Sequence, residues 1–243
     1  MTRKLNEIRL MRKINMKNIL LFGLTLAISW NSFGQKIDER TLDSFKIVNV
    51  FGNMEVQLIK ADKERMVINS QEVEVSKISS RVEKNELRIS MNNDLFSASK
   101  KVTIKLYYKS LVEINSTGGA SIVSEDIIKA DKLNFNAASG GNISLNLDVN
   151  ILEASVGQKS VISLQGNVNY QKVSANLGGT YDAFELICDD AVVKANTGGK
   201  VKVYAAKLLD ASAVTKGYVG YKGKPEKKNF DKSTGGDIRE SDD

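Results

Sequence analysis

The sequence predicts an all-β solenoid with about twenty residues per rung. Three observations carry that assignment. Short period-two runs of Val, Ile, Leu and Tyr fill the chain after its opening stretch, and no comparable segment keeps the period of a helix. One four-residue pattern then recurs six times between residues 112 and 212.

The opening stretch stands apart from this. Residues 1–34 carry Arg3, Lys4, Arg9, Arg12, Lys13 and Lys17 against one acid, Glu7, and run into the uncharged "ILLFGLTLAISW" at 19–30. A basic segment followed by an apolar one too short to span a bilayer reads as a signal peptide, with an uncleaved anchor as the alternative. Ser32 and Gly34 supply the small residues a signal peptidase reads, which places the cut before Gln35. Met11 and Met16 are alternative starts. The expectation is export to the periplasm, the outer surface or the extracellular space, with no transmembrane anchor after cleavage.

Removing the leader changes the electrostatics. The whole chain has 35 Lys plus Arg and 29 Asp plus Glu, of which the leader holds 6 and 1, so 29 face 28 in the remainder. A near-neutral protein with no basic stripe gives no footing for nucleic-acid binding. Cysteine occurs once, at Cys188, so stability comes from packing and hydrogen bonds rather than an internal disulfide. Gln35 at the junction argues against a lipoprotein, and Cys188 itself reads as a small buried hydrophobe.

Residues 37–243 are expected to form one solenoid domain: irregular strands over 37–110, rungs over 111–225 and a cap or tail over 226–243. The first part contains "FKIVNVFG" at 45, "MEVQLIKA" at 54, "RMVINS" at 65, "ELRISM" at 86 and "KVTIKLYY" at 101, separated by Asn, Gly, Asp and Lys. From 112 the pattern apolar, any, apolar, Asn or Ser gives "VEIN", "LNFN", "LEAS", "VSAN", "VKAN" and "LDAS", at spacings of 21, 19, 21, 20 and 16. A Gly-containing turn follows each copy, as at Gly118-Gly119, Gly140-Gly141, Gly178-Gly179 and Gly198-Gly199.

Stacked rungs explain the recurrence. Asn115, Asn136, Ser155, Asn176, Asn196 and Ser212 are expected to form a side-chain ladder at the strand spacing of about 4.8 Å. The glycines are needed for positive φ or close backbone approach. The apolar residue before the ladder runs Ile114, Phe135, Ala154, Ala175, Ala195, Ala211, which suggests a tapering or thin core.

The strings "VEINSTGGASI", "FNAASGGNISL", "ANTGGKVKV" and the closing "YKGKP" at 221–225 resemble the putative auto-transporter adhesin, head GIN domain family (DUF2807) of exported Bacteroidetes proteins, over roughly residues 44–240. That resemblance implies a right-handed, largely parallel β-helix and an adhesin role. Two stretches depart from it: "GQKS" replaces the double glycine at 157–160, and "LGGTYDAFEL" is less regular.

Chemistry is sparse. With no histidine, Ser-His-Asp and Cys-His nucleophiles, His-ligated zinc and His bases are all excluded. Carboxylate pairs remain, Asp189-Asp190 and Glu125-Asp126, but neighbours on a strand point to opposite faces. "STGGDIRESDD" gathers Asp237, Glu240, Asp242 and Asp243 without forming a calcium repeat and reads as a last glycine turn with a charged tail. The lysine-rich "YKGKPEKKNFDK" at 221–232 reads as a guard on an exposed strand edge, with contact to an anionic glycan as the alternative. No catalytic, cofactor or metal residue is assigned. The expected function is an exported binding or structural module that presents its flank to a glycan or a cell-envelope protein, and the alternative is a carboxylate-based polysaccharide-active enzyme.

Overall fold

The computed structural model describes residues 36–70, 73–91 and 102–241, so the expected leader, Asp242 and Asp243 lie outside the described residues. The described chain is nearly all strand, wound into about seven coils roughly 19 residues apart. Strands β9 (Ser121–Ala138), β10 (Asn142–Val156), β11 (Val161–Ala175) and β12 (Thr180–Asn196) each supply one coil and pair in parallel with the next. Within β10 the inward positions are Ile143, Leu145, Leu147 and Val149, then Leu152, Ala154 and Val156. Two successive outward residues, Asn150 and Ile151, turn the corner between those runs. Period-two alternation therefore fills the core from both sides of the corner, and stacking buries each coil's apolar edge on the next.

A two-residue turn closes each coil. Thr197 and Gly198 have φ of 47° and 73°, and Gly199 N–H donates to the Asn196 carbonyl at 2.8 Å, the geometry of a type I′ turn. "GQKS" builds the same turn, with Gln158 and Lys159 at φ 51° and 61° and Ser160 in the fourth place. It is thus no departure from the repeat. The residue that follows each positive-φ pair answers a different constraint: it lacks a positive φ, but a Cβ on Gly199 would collide with the Ala175 carbonyl oxygen. Gly141, Gly179, Gly217 and Gly236 meet the same close approach of a carbonyl oxygen, and Ala120 and Ser160 fill the position in the other two turns.

The register corrects the expected ladder. Asn115 pairs with Asn136 and Asn136 with Ser155, but Ser155 then pairs with Ser174, Ser174 with Lys194 and Lys194 with Ser212. Asn176 and Asn196 sit two residues further along, beside the turns, and Asn176 Nδ2 donates to Ser174 Oγ of its own strand at 3.0 Å. The taper vanishes with the slip, because the true column reads Ile114, Phe135, Ala154, Val173, Val193, Ala211. Two bulges interrupt the ladders. Ser124, Glu125 and Asp126 of β9 face Leu145 alone, and Ala183 and Phe184 of β12 face Leu164 alone. The irregular "LGGTYDAFEL" is the second of these.

The N-terminal strands do not stack in chain order. Strands β2 (Ile47–Phe51) and β3 (Glu55–Lys60) form a coil between β6 (Glu86–Met91) with β7 (Val102–Tyr108) on one side and β8 (Glu113–Thr117) with β9 on the other. Antiparallel strands then close this end: β5 (Ile78–Glu83) on β6, β4 (Arg65–Ser70) on β7 and β1 (Lys36–Thr41) on β4. At the other end, β13 (Lys200–Tyr204), β14 (Leu208–Val214) and β15 (Tyr218–Lys222) continue the coils. The chain past Glu226 adds a further coil, β16 (Lys227–Ser233) on β14 and β17 (Asp237–Glu240) on β15. Every residue of β16 is exposed, so the lysine-rich stretch lies on a terminal edge from Lys227 onward, whereas its opening Tyr221 and Lys222 belong to β15, which is paired on both sides.

Candidate functional site: a polar groove across the coils

The outer face of β8 and of the second halves of β9 to β12 carries a groove of about 490 Å³. Alternation sends every second side chain of these segments outward, and the parallel register sets them in rows. One row holds Glu113, Asn134, Glu153 and Lys172; its neighbour holds Asn115, Asn136, Ser155, Ser174 and Lys194. Phe135, Ala154 and Val173 form the floor between them.

A side-chain ladder does exist at one end of this groove. Asn115 Nδ2 donates to Asn49 Oδ1 and to Glu113 Oε1, both at 2.8 Å, and Asn49 Nδ2 donates to Glu86 Oε1 at 2.6 Å. Glu86 is held below the usual carboxylate range by the hydrogen bond from Arg88. Further along, Lys132 donates to Glu153 at 2.7 Å and lowers its pKa in the same way. Asn134 Oδ1 is shielded from solvent and has no hydrogen-bond partner among the described residues. The groove thus alternates amide, hydroxyl and charge, a surface suited to a polar chain laid across the coils.

A second ladder was invisible to the sequence reading. At the corner between the two runs, Asn169 Nδ2 donates to Asn150 Oδ1 at 3.0 Å and Asn150 Nδ2 to Asp131 Oδ1 at 2.7 Å. The signal was the spacing of Asp131, Asn150 and Asn169, 19 residues apart each time.

The acids singled out from sequence lie apart. Asp189 is tied to Lys207 at 2.8 Å on the coil of β12, whereas Glu125 accepts from Gln57 at 3.4 Å in the β9 bulge. The two pairs do not converge, and a catalytic reading of them has no geometry to rest on. Each carboxylate with a resolved shift, Glu64, Glu86 and Glu153, is lowered rather than raised. At the C-terminus Asp237 is held by Arg239, and Glu240 accepts from Tyr221 Oη at 3.2 Å. No group of three potential metal ligands forms among the described residues. Cys188 is buried, and burial pushes its thiol up to about 12, so the group is a protonated core residue at neutral pH.

No helix among the described residues is long and apolar enough to cross a membrane. Comparison with solved structures bears on most of the chain. A "putative adhesin" from Bacteroides fragilis superposes with a TM-score of 0.77 at 18% identity, covering 86% of this chain and 97% of its own. A "putative lipid binding protein" from Parabacteroides distasonis gives 0.65 at 22% identity, with 87% and 98% covered. A "putative adhesin" from Parabacteroides merdae gives 0.65 at 18% identity, with the same coverage. Identities this low establish the shared fold. No curated protein sequence matches the chain. The family model described as "Putative auto-transporter adhesin, head GIN domain" matches residues 44–225, and the chain belongs to that family.

Proposed function

We infer that the protein is exported, loses residues 1–34, and acts at the cell envelope as a non-catalytic binding module of adhesin type. One observation carries the binding reading: polar side chains from five successive coil segments stand in register along one groove, ending in Lys172 and Lys194. A ligand that repeats along its length, such as a glycan chain, meets a repeating set of donors and acceptors there. Family membership and the adhesin names of the structural neighbours support the same reading.

Two measurements test it. The intact mass of the protein from its native host is expected to begin at Gln35; a retained leader overturns export with processing. On a glycan array, the double variant Lys172→Glu and Lys194→Glu is expected to lose most of the binding of the unaltered protein. Both lysines are exposed, so the fold is retained, and unchanged binding removes the groove as the site.

A further inference from the structure

We propose that the opposite flank carries a second site, a pocket for a short neutral saccharide between the two bulges. It adds a site to the reading above and does not depend on the groove. The bulge of Ser124, Glu125 and Asp126 stands on β9 and the bulge of Phe184 on β12, with β10 and β11 between them. The strands so bounded enclose about 280 Å³. Bulges re-aim side chains, and here the bulge leaves Phe184 and Glu185 outward in succession, with Phe184 at the wall of the pocket.

The lining is the chemistry of sugar recognition. Ser144, Asn146, Ser163 and Gln165 rise from the floor, and Asp182 and Glu185 flank Phe184. None of the four floor residues makes a side-chain hydrogen bond to a described residue. Amides beside carboxylates offer donors and acceptors in pairs, which match hydroxyls that both give and take hydrogen bonds. An aromatic face beside them packs the C–H face of a sugar ring. Lys202 Nζ and Lys222 Nζ stand 5.7 and 5.3 Å from the Phe184 ring centre, and they come from β13 and β15, on the side of β12 away from β11. Lys202 also binds Asp182 at 2.8 Å, which fixes that carboxylate as an acceptor.

Charge selects a neutral ligand. Asp182 and Glu185 are the charged residues of the lining, and Lys202 offsets only the first of them. A uronic acid or sulfated sugar meets repulsion there.

The test is calorimetric titration of the full chain with cellotriose, mannotriose, chitotriose and trigalacturonate, alongside amide shift mapping. Binding of at least one neutral trisaccharide is expected, with shifts around Ser144, Gln165 and Phe184. Phe184→Ala is expected to weaken it about ten-fold, Phe184→Tyr to preserve it, and Lys232→Ala on the exposed terminal strand β16, outside both sites, to leave it unchanged. Shift mapping on the unaltered protein decides the matter even where a variant fails to fold. The site is overturned by no binding of any neutral probe, by tighter binding of trigalacturonate, by shifts confined to the other flank, or by release of reducing ends, which makes it hydrolytic.

Discussion

Glu64 shows how a buried carboxylate is kept charged where the chain passes from β3 to β4. It is 6% exposed, and burial raises its pKa, but the hydrogen bonds from Ser44 at 2.9 Å and Lys109 at 3.2 Å outweigh that and lower it. A carboxylate lowered on folding stabilises above its unfolded pKa of about 4.3, and that stabilisation is lost as pH falls through the lower folded value. Glu64→Gln is therefore expected to cost about 1 kcal/mol or more at pH 7 and much less at pH 3. Thermal melts of both proteins across that range check it, and parallel curves would count against it. Gln171 and Tyr181 solve a similar problem without charge: both are fully buried, and Tyr181 Oη donates to Gln171 Oε1 at 2.8 Å.

At the level of the coil, the turn gives neighbouring glycines two distinct roles. Gly178 has φ of 74° with open space around it, while Gly199 must admit the Ala175 carbonyl. Gly178→Ala is expected to cost about 1 kcal/mol, the strain of the left-handed conformation. Gly199→Ala is expected to cost about 2 to 3 kcal/mol, because backbone has to move. Chemical denaturation separates the two, and equal losses would mean that the close approach is relieved cheaply. The coil also shows what the sequence could tell. Period-two alternation is unchanged by a slip of two residues, so "VSAN" and "VKAN" satisfied the repeat pattern while standing one pleat out of register. The telltale was the uneven spacing of 21, 20 and 16, which becomes 19, 20 and 18 once Val173 is set against Ala154. Strands β1 and β5 were overlooked because "KIDERT" and "ISSRVE" are polar edge strands with little apolar alternation. The groove residues Glu153, Lys172 and Lys194 were missed for a related reason: outward charges on a strand look like ordinary solvated positions until the register sets them side by side.

Across the whole molecule the two ends differ. The N-terminal end is closed by antiparallel strands over a core of large side chains such as Phe45, Met66 and Leu87, whereas β16 is exposed along its entire length. Solenoid stability is a sum of coil and interface contributions, and a terminal coil lacks one interface. Amide exchange is therefore expected to be slowest in β9 to β11 and at least about ten-fold faster in β16 and β17. Uniform protection from end to end would show that the C-terminal coil is held as firmly as the middle.

The interleaving of the first coil dictates an order of events as the chain emerges from its N-terminus. Strands β2 and β3 appear early but have no parallel neighbour until residues 86–108 have followed to cover one side and residues 113–123 to cover the other. Their pairing spans 39 positions between Ile47 and Glu86 and 66 between Ile47 and Glu113, so closing it is slow compared with everything after it. Past Thr117 the kinetics change character. Each new segment of about 19 residues finds a finished template beside it and needs only to lie down, so the early strands act as a starter and the remainder of the chain as its elongation.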